Sequence, residues 1–295
     1  MTEPITGVVA PVVTPINEHG DLAVDRVADS VAFTLECGCH AVVASGTGVQ
    51  ETAALAPEER KTLISETVDA VDGRKPVLAG VSYPAQSVVA DLVSHAEDAG
   101  VDGLLAMPPW GMPPSHDAIV RYYEAIAAET ELPILVYNNP AVTVDMAKET
   151  MLAVARIDGV EYVKESSRDW QKVGWLLERI HHAGHAEVFT TMDVLLPTLQ
   201  AGGSGAVIPA PATVPAMRVY EAYRDGDLET AVRAQRSFGT FPPDEVTTGL
   251  TAVCKAATRL SGVDVGPPRP PYDDVGDDGL AAIDAWLDEQ DVPTL

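Results

Sequence analysis

The residue best placed to do chemistry is a lysine that ends a β-branched, aromatic run, Val160-Glu161-Tyr162-Val163-Lys164. Side chains alternate between the two faces of a strand, so Val160, Tyr162 and Lys164 are expected on one face. Lysine is rarely buried without a partner, and an amine kept from water is held back from protonation and becomes a usable nucleophile. The competing reading is a lysine that snorkels to solvent or pairs with Glu165. Chemistry at such an amine also needs a proton donor and acceptor. Tyr137, at the end of Pro133-Ile134-Leu135-Val136-Tyr137 and followed by the turn Asn138-Asn139-Pro140, offers a phenol; otherwise it is a core tyrosine. A substrate carboxylate needs a seat, and Gly46-Thr47-Gly48 supplies backbone amides and a hydroxyl in a small anion nest. These groups together suit an amine that attacks the ketone of a 2-oxo acid and forms an iminium. Carbon–carbon cleavage or formation, or loss of a β-hydroxyl, then becomes accessible.

The elements that must position these residues follow from periodicity. Strand-like patterns cover 7–14, 41–45, 76–81, 102–107, 133–138, 160–164, 187–191 and 205–209. Helical patterns alternate with them: Asp25 to Cys37, from Pro57, Ser87 to Ala99, from the cap Ser115 to Thr130, Asp145 to Ala155, and from the cap Asp169 to Ala183. Eight alternating units predict a closed (β/α)₈ TIM barrel, an α/β fold, over residues 1–222. Residues 223–295 read as a C-terminal helical extension with helices at Leu228 to Phe238, Val246 to Leu260 and Leu280 to Asp288. In such a barrel the chemistry belongs at the C-terminal strand ends, where Lys164, Tyr137, Thr47, Thr190, Thr191 and the loop carrying Trp110 would converge.

Composition narrows the partners. The chain has 295 residues and a formal charge of −25, from 44 acidic against 19 basic residues. Such a surface repels nucleic acid and anionic membranes. It resembles proteins of salt-accumulating organisms, in which carboxylates replace surface lysines. No apolar run reaches the roughly 20 residues of a bilayer span, and the first residues show no signal segment, so a cytoplasmic location is expected. The three cysteines, Cys37, Cys39 and Cys254, suit a reducing compartment. No metal-ligand spacing is present, and His181, His182 and His185 read as a solvated face. Gly46-Thr47-Gly48 runs on into Val49-Gln50-Glu51, which continues neither a phosphate loop nor a dinucleotide fingerprint, so no cofactor is expected.

Several stretches in order, Ser45-Gly46-Thr47-Gly48 with Glu51 to Arg60, Leu132 to Pro140, Val163 to Ser167, and Gly202 to Ile208, resemble the dihydrodipicolinate synthase and N-acetylneuraminate lyase superfamily of class I pyruvate aldolases. The resemblance spans roughly residues 5 to 265. It implies an oligomeric barrel, tetramer or dimer, with Lys164 as Schiff-base lysine, Tyr137 as proton relay, Thr47 and the neighbouring amides of Gly46 and Gly48 as carboxylate seat, and the Ile208 carbonyl near the imine. Pyruvate and an aldehyde are the implied partners. Two departures bear on the second substrate: Val142 stands where dihydrodipicolinate synthases place an arginine, and Gly111 where they place a tyrosine across a subunit interface. The leading expectation is therefore aldol cleavage or condensation of a 2-keto-3-deoxy sugar acid or related hydroxy-oxo acid. Ser166, Ser167, Thr190 and Thr191 would meet a polyol tail, and Trp110, Met112 and Val142 would leave room for an apolar one. The alternatives are dihydrodipicolinate synthase, a 2-keto-3-deoxy acid dehydratase, and a silent barrel that binds 2-oxo acids.

Overall fold

Eight short, largely apolar strands pair in parallel and close on themselves in sequence order: β1 (Gly7–Pro11), β2 (Ala41–Ala44), β3 (Val77–Gly80), β4 (Gly103–Ala106), β5 (Ile134–Asn138), β6 (Val160–Glu165), β7 (Glu187–Thr190) and β8 (Gly205–Val207). The computed structural model describes residues 4–238, 241–243, 246 and 248–295. Helices cover the barrel: α1 (Val27–Glu36), α2 (Pro57–Val71), α3 (Gln86–Ala99), α4 (His116–Ala127), α5 (Lys148–Val154), α6 (Trp170–Leu176), α7 (Leu195–Gln200) and α8 (Thr213–Arg224). The expected TIM barrel is thus the observed fold. Strands in it are apolar on both faces because side chains fill the interior on one side and helices cover the other. Val9, Val43, Leu78, Leu105, Leu135 and Phe189 pack inside, whereas Ala10, Val42, Ala79, Leu104, Val136 and Val163 pack under the helices.

Period two breaks once, at the strand that matters most. Between Ile134 and Leu135 the register of β5 on β6 slips by a residue, so Ile134 faces Val160 and Leu135 faces Tyr162. Glu161 is left exposed, and Val160 joins the outer layer instead of sharing a face with Tyr162 and Lys164. A bulge of this kind re-aims the residues beyond it, and here it leaves Tyr162 inside the barrel with its hydroxyl accepting from the Ile5 amide.

Local chemistry sets the helix ends. Ser115 Oγ accepts from the Ala118 amide, and Asp169 accepts from the amides of Gln171 and Lys172, which satisfies donors that the first turn leaves unpaired. The fifth helix begins at Lys148 rather than Asp145, whose carboxylate is engaged elsewhere. The sixth passes into a π turn over Leu177–His181. In the extension, α9 (Leu228–Phe238) lies as expected, and α11 (Asp277–Glu289) begins earlier than Leu280. The α10 helix (Leu250–Leu260) begins four residues after Val246, and Thr247 lies outside the described residues. Ala252 and Val253 of α10 and Ile283 and Trp286 of α11 share one apolar core with Val8, Ala206 and Ile208 of the barrel. No helix among the described residues is long and apolar enough to cross a membrane.

The ends of β2 and β3 meet backbone to backbone. A Cβ at Gly80 would lie 2.1 Å from the Gly46 Cα and 2.2 Å from the Ser45 carbonyl oxygen, with no flexible atom to yield. Gly80→Ala is therefore expected to cost about 3 kcal/mol, read as a fall in Tm of the purified protein. A Tm within about 2 °C of the parent's would contradict this contact.

Candidate active site

Tyr137 and Lys164 are register partners at the C-terminal ends of β5 and β6. Both point into a cavity of ≈ 550 Å³ at that end of the barrel, whose wall also includes Thr47, Gly48, Trp110, Val142, Ser166 and Thr191. Lys164 is only 5% exposed. Its Nζ sits 4.2 Å from the centroid of the Tyr137 ring. The fully buried Lys255 is neutralised by Glu51, and the partly buried Lys172 by Glu165 and Asp145. Among the described residues Lys164 has no carboxylate at ion-pair distance, and Glu165, its sequence neighbour, turns to the opposite face. Neither the snorkelling nor the Glu165-paired arrangement occurs.

The Tyr137 hydroxyl accepts from Asn139 Nδ2 at 2.8 Å. That bond fixes the phenol oxygen and leaves its own hydrogen for a second acceptor. The turn after β5 is held by a network one layer out. Asn138 Nδ2 donates to both Glu165 oxygens and to Asp145 Oδ1, and Asn138 Oδ1 accepts from the Met146 amide. Lys172 Nζ lies 2.9 Å from Glu165 and 2.6 Å from Asp145. Burial works to raise the Asp145 carboxyl, but the bonds from Lys172 and Asn138 outweigh it and hold it below the usual carboxylate range.

The loop after β2 differs from the expected nest. Gln50 is fully buried, and its Oε1 accepts from the amides of Gly46 (2.8 Å) and Thr47 (3.1 Å). Its Nε2 donates to the carbonyls of Val12 and Val43. The Gly46 amide is thus taken within the protein, and Gly46 does not reach the cavity. Residues Gly48–Gln50 form a single 3₁₀ turn, and its first two amides, of Gly48 and Val49, have no acceptor among the described residues. Both residues line the cavity beside Thr47, so the donors available to an anion lie one step further along than the sequence suggested. Behind the loop the buried Arg60 guanidinium donates to the carbonyls of Ser82 and Gly80 and to Ser45 Oγ. Burial pushes its pKa down to about 10.

Other expected residues divide between wall and core. Trp110 lines the cavity and packs edge-on against Tyr83. Ser166 does too, and its Oγ is buried with no hydrogen-bond partner among the described residues. Thr190 does not: its hydroxyl bonds Thr198 on α7 beneath the surface, and its neighbour Thr191 reaches the cavity instead. Ser167 Oγ accepts from the Asp169 amide, and Met112 is 88% exposed, away from the cavity. Ile208 buries its side chain under the helices, and Val207 and Pro209 flank it on the cavity wall. Of the three histidines read as a solvated face, His182 is exposed and bonds the Ala201 carbonyl, His185 accepts from Arg156 near the surface, and His181 is partly buried beside Glu187.

Sequence reasoning did not find Gln50, Asn139, or Arg168, which lines the cavity and pairs with Asp193 at 2.7 Å. It also missed Thr251 and Tyr272, by which the extension itself walls the cavity. The three cysteines are free and buried; burial pushes the Cys39 thiol up to about 11 and the Cys254 thiol to about 12, which makes them poor nucleophiles. No group of three His, Cys, Asp or Glu among the described residues is arranged to hold a metal ion.

Comparison with known proteins agrees with the barrel fold. An uncharacterized DapA-like lyase of Halobacterium salinarum is 35% identical over 286 residues, 95% of this chain and 92% of that one, and its source fits the acid-rich composition. The 4-hydroxy-tetrahydrodipicolinate synthase of Bacillus subtilis is 29% identical over 282 residues, 94% of this chain and 96% of that one. Among solved structures, YagE of E. coli K12, a prophage protein of the dihydrodipicolinic acid synthase family in complex with pyruvate, superposes with a TM-score of 0.89 at 25% identity, over 97% of this chain and 99% of that one. N-acetylneuraminate lyase from Mycoplasma synoviae shares the fold, with a TM-score of 0.86 at 21% identity, over 98% of this chain and 99% of that one. Residues 4–290 match the dihydrodipicolinate synthetase family, and with relatives of this identity along nearly its whole length, the chain belongs to that family of lyases.

Proposed function

We propose that this chain is a class I lyase in which Lys164 forms an imine with a 2-oxo acid of the pyruvate type, and that it cleaves or forms a 2-keto-3-deoxy sugar acid or related hydroxy-oxo acid. The observation that carries this reading is a cavity-facing amine, 5% exposed, with no carboxylate partner among the described residues and a tyrosine ring beneath it. An amine so placed attacks the C2 ketone, and loss of water gives an iminium. The Tyr137 phenol gives its proton to the C2 hydroxyl that leaves as water, and in the cleavage direction the resulting phenolate takes the C4 hydroxyl proton. The C3–C4 bond then breaks, its electron pair enters the iminium as an enamine, and the aldehyde leaves. Protonation at C3 and hydrolysis of the imine return pyruvate and the amine. The substrate carboxylate sits on the Gly48 and Val49 amides, and the Thr47 hydroxyl on the same wall donates to Gln50 Oε1. Ser166 and Thr191 face the hydroxylated tail, and Trp110 and Val142 bound its apolar side.

Val142 argues against lysine-biosynthetic condensation. Replacing a charge-assisted carboxylate contact by an isopropyl group forfeits about 2 to 4 kcal/mol where the charge is desolvated. Pyruvate release from a panel of 2-keto-3-deoxy sugar acids is accordingly expected to exceed condensation of pyruvate with aspartate semialdehyde by at least about 30-fold in kcat/KM. Robust turnover of the semialdehyde, with none of the sugar acids, would overturn the assignment of substrate class.

A further inference from the structure

The loop that carries the carboxylate donors is pinned from outside the barrel. Glu51 follows the Gly48–Gln50 turn with φ of +57°, a left-handed conformation that a residue with a Cβ adopts only when something holds it there. Its side chain is 1% exposed, and its Oε2 lies 2.7 Å from Lys255 Nζ on α10, itself 0% exposed. Lys255 Nζ also donates to the Pro267 carbonyl, and the Arg269 amide donates to Glu51 Oε1 at 2.6 Å. One helical turn before Lys255, the Thr251 hydroxyl donates to the Gly48 carbonyl at 3.3 Å. Residues at i and i+4 share a helix face, so a single face of α10 grips both ends of the turn from Gly48 to Glu51. Burial lowers the pKa of the Lys255 ammonium, and Glu51 beside it opposes that loss.

A buried ion pair is a poor way merely to join two elements, because well-packed apolar side chains of the same volume hold them as firmly without the desolvation cost. What an ion pair adds is a fixed place for each charge. We infer that Lys255, acting through Glu51, is a positioning residue that sets the Gly48 and Val49 amides for the 2-oxo-acid carboxylate, so that the C-terminal extension is part of the binding apparatus. This inference rests on the imine reading given above.

The test uses the full-length protein and pyruvate as the probe. The readout is the pyruvate concentration that gives half-maximal borohydride trapping at Lys164, with Tm measured alongside. Lys255→Met is expected to raise that concentration at least about tenfold by loosening the loop, and to lower Tm because Glu51 is left buried and unpaired. The double variant Lys255→Met with Glu51→Gln removes both charges. It is expected to recover most of the Tm yet keep the weakened trapping, and it carries the test alone if the single variant does not fold. Half-trapping within about twofold of the parent's in a folded Lys255→Met protein, or affinity that returns together with Tm in the double variant, would overturn the inference while leaving the imine reading intact. A parent protein that traps no pyruvate strikes the imine reading itself and removes this inference with it.

Discussion

Lys164→Ala is expected to abolish imine formation and to lower turnover at least about 10⁴-fold, equivalent to about 5.4 kcal/mol of barrier. The reason is chemical rather than structural. The cavity holds one other cation among the described residues, Arg168, and its guanidinium is not a nucleophile. Lys172 and Lys255 are committed to carboxylates and do not line the cavity. No neighbouring amine can therefore take over. The fold should survive, because the substitution strands no charged partner, and the Tm of the variant serves as the control. Turnover within about tenfold of the parent's would remove Lys164 from the mechanism.

Tyr137→Phe separates chemistry from binding. The ring that lies beneath the amine remains, so the 2-oxo acid should still be trapped at Lys164 to the same end point. The phenol that relays protons is lost, and kcat is expected to fall about 10²- to 10⁴-fold. Asn139 Nδ2, which donates to the phenol oxygen, loses its acceptor at the cavity edge and turns to water at little cost. Steady-state kinetics beside end-point trapping distinguish the outcomes. Unchanged kcat would reduce Tyr137 to a platform, and lost trapping would show that its hydroxyl is needed to build the imine.

The barrel was legible because its signals are local and repeated: short β-branched runs, capping residues such as Ser115 and Asp169, and regular alternation. Lys164 and Tyr137 stood out for the same reason, each ending a strand. What periodicity does not report is where a register slips. Val160 was placed on the wrong face because nothing in Val160-Glu161-Tyr162 marks the extra residue that the pairing with β5 takes up. Loop geometry was also out of reach. Gly46 and Thr47 read as an open nest, but a glutamine three residues on folds back and occupies their amides. Thr190 and Thr191 are equivalent by composition, and only the packing of α7 decides that the first bonds Thr198 while the second faces the cavity.

One signal was present and applied too narrowly. With six lysines in the chain, a lysine in any apolar pattern is informative. That reasoning singled out Lys164, and it holds equally for Lys255 within Leu250-Thr251-Ala252-Val253-Cys254-Lys255-Ala256. The partner, Glu51, lies far away in sequence, and no spacing rule connects the two.

The most direct measurement is intact-protein mass after incubation with pyruvate and sodium borohydride, followed by peptide mapping. The account predicts one added reduced pyruvyl group per chain, located on Lys164 and absent from Lys164→Ala. An unchanged mass in the parent protein, or the adduct on a different lysine, would contradict it.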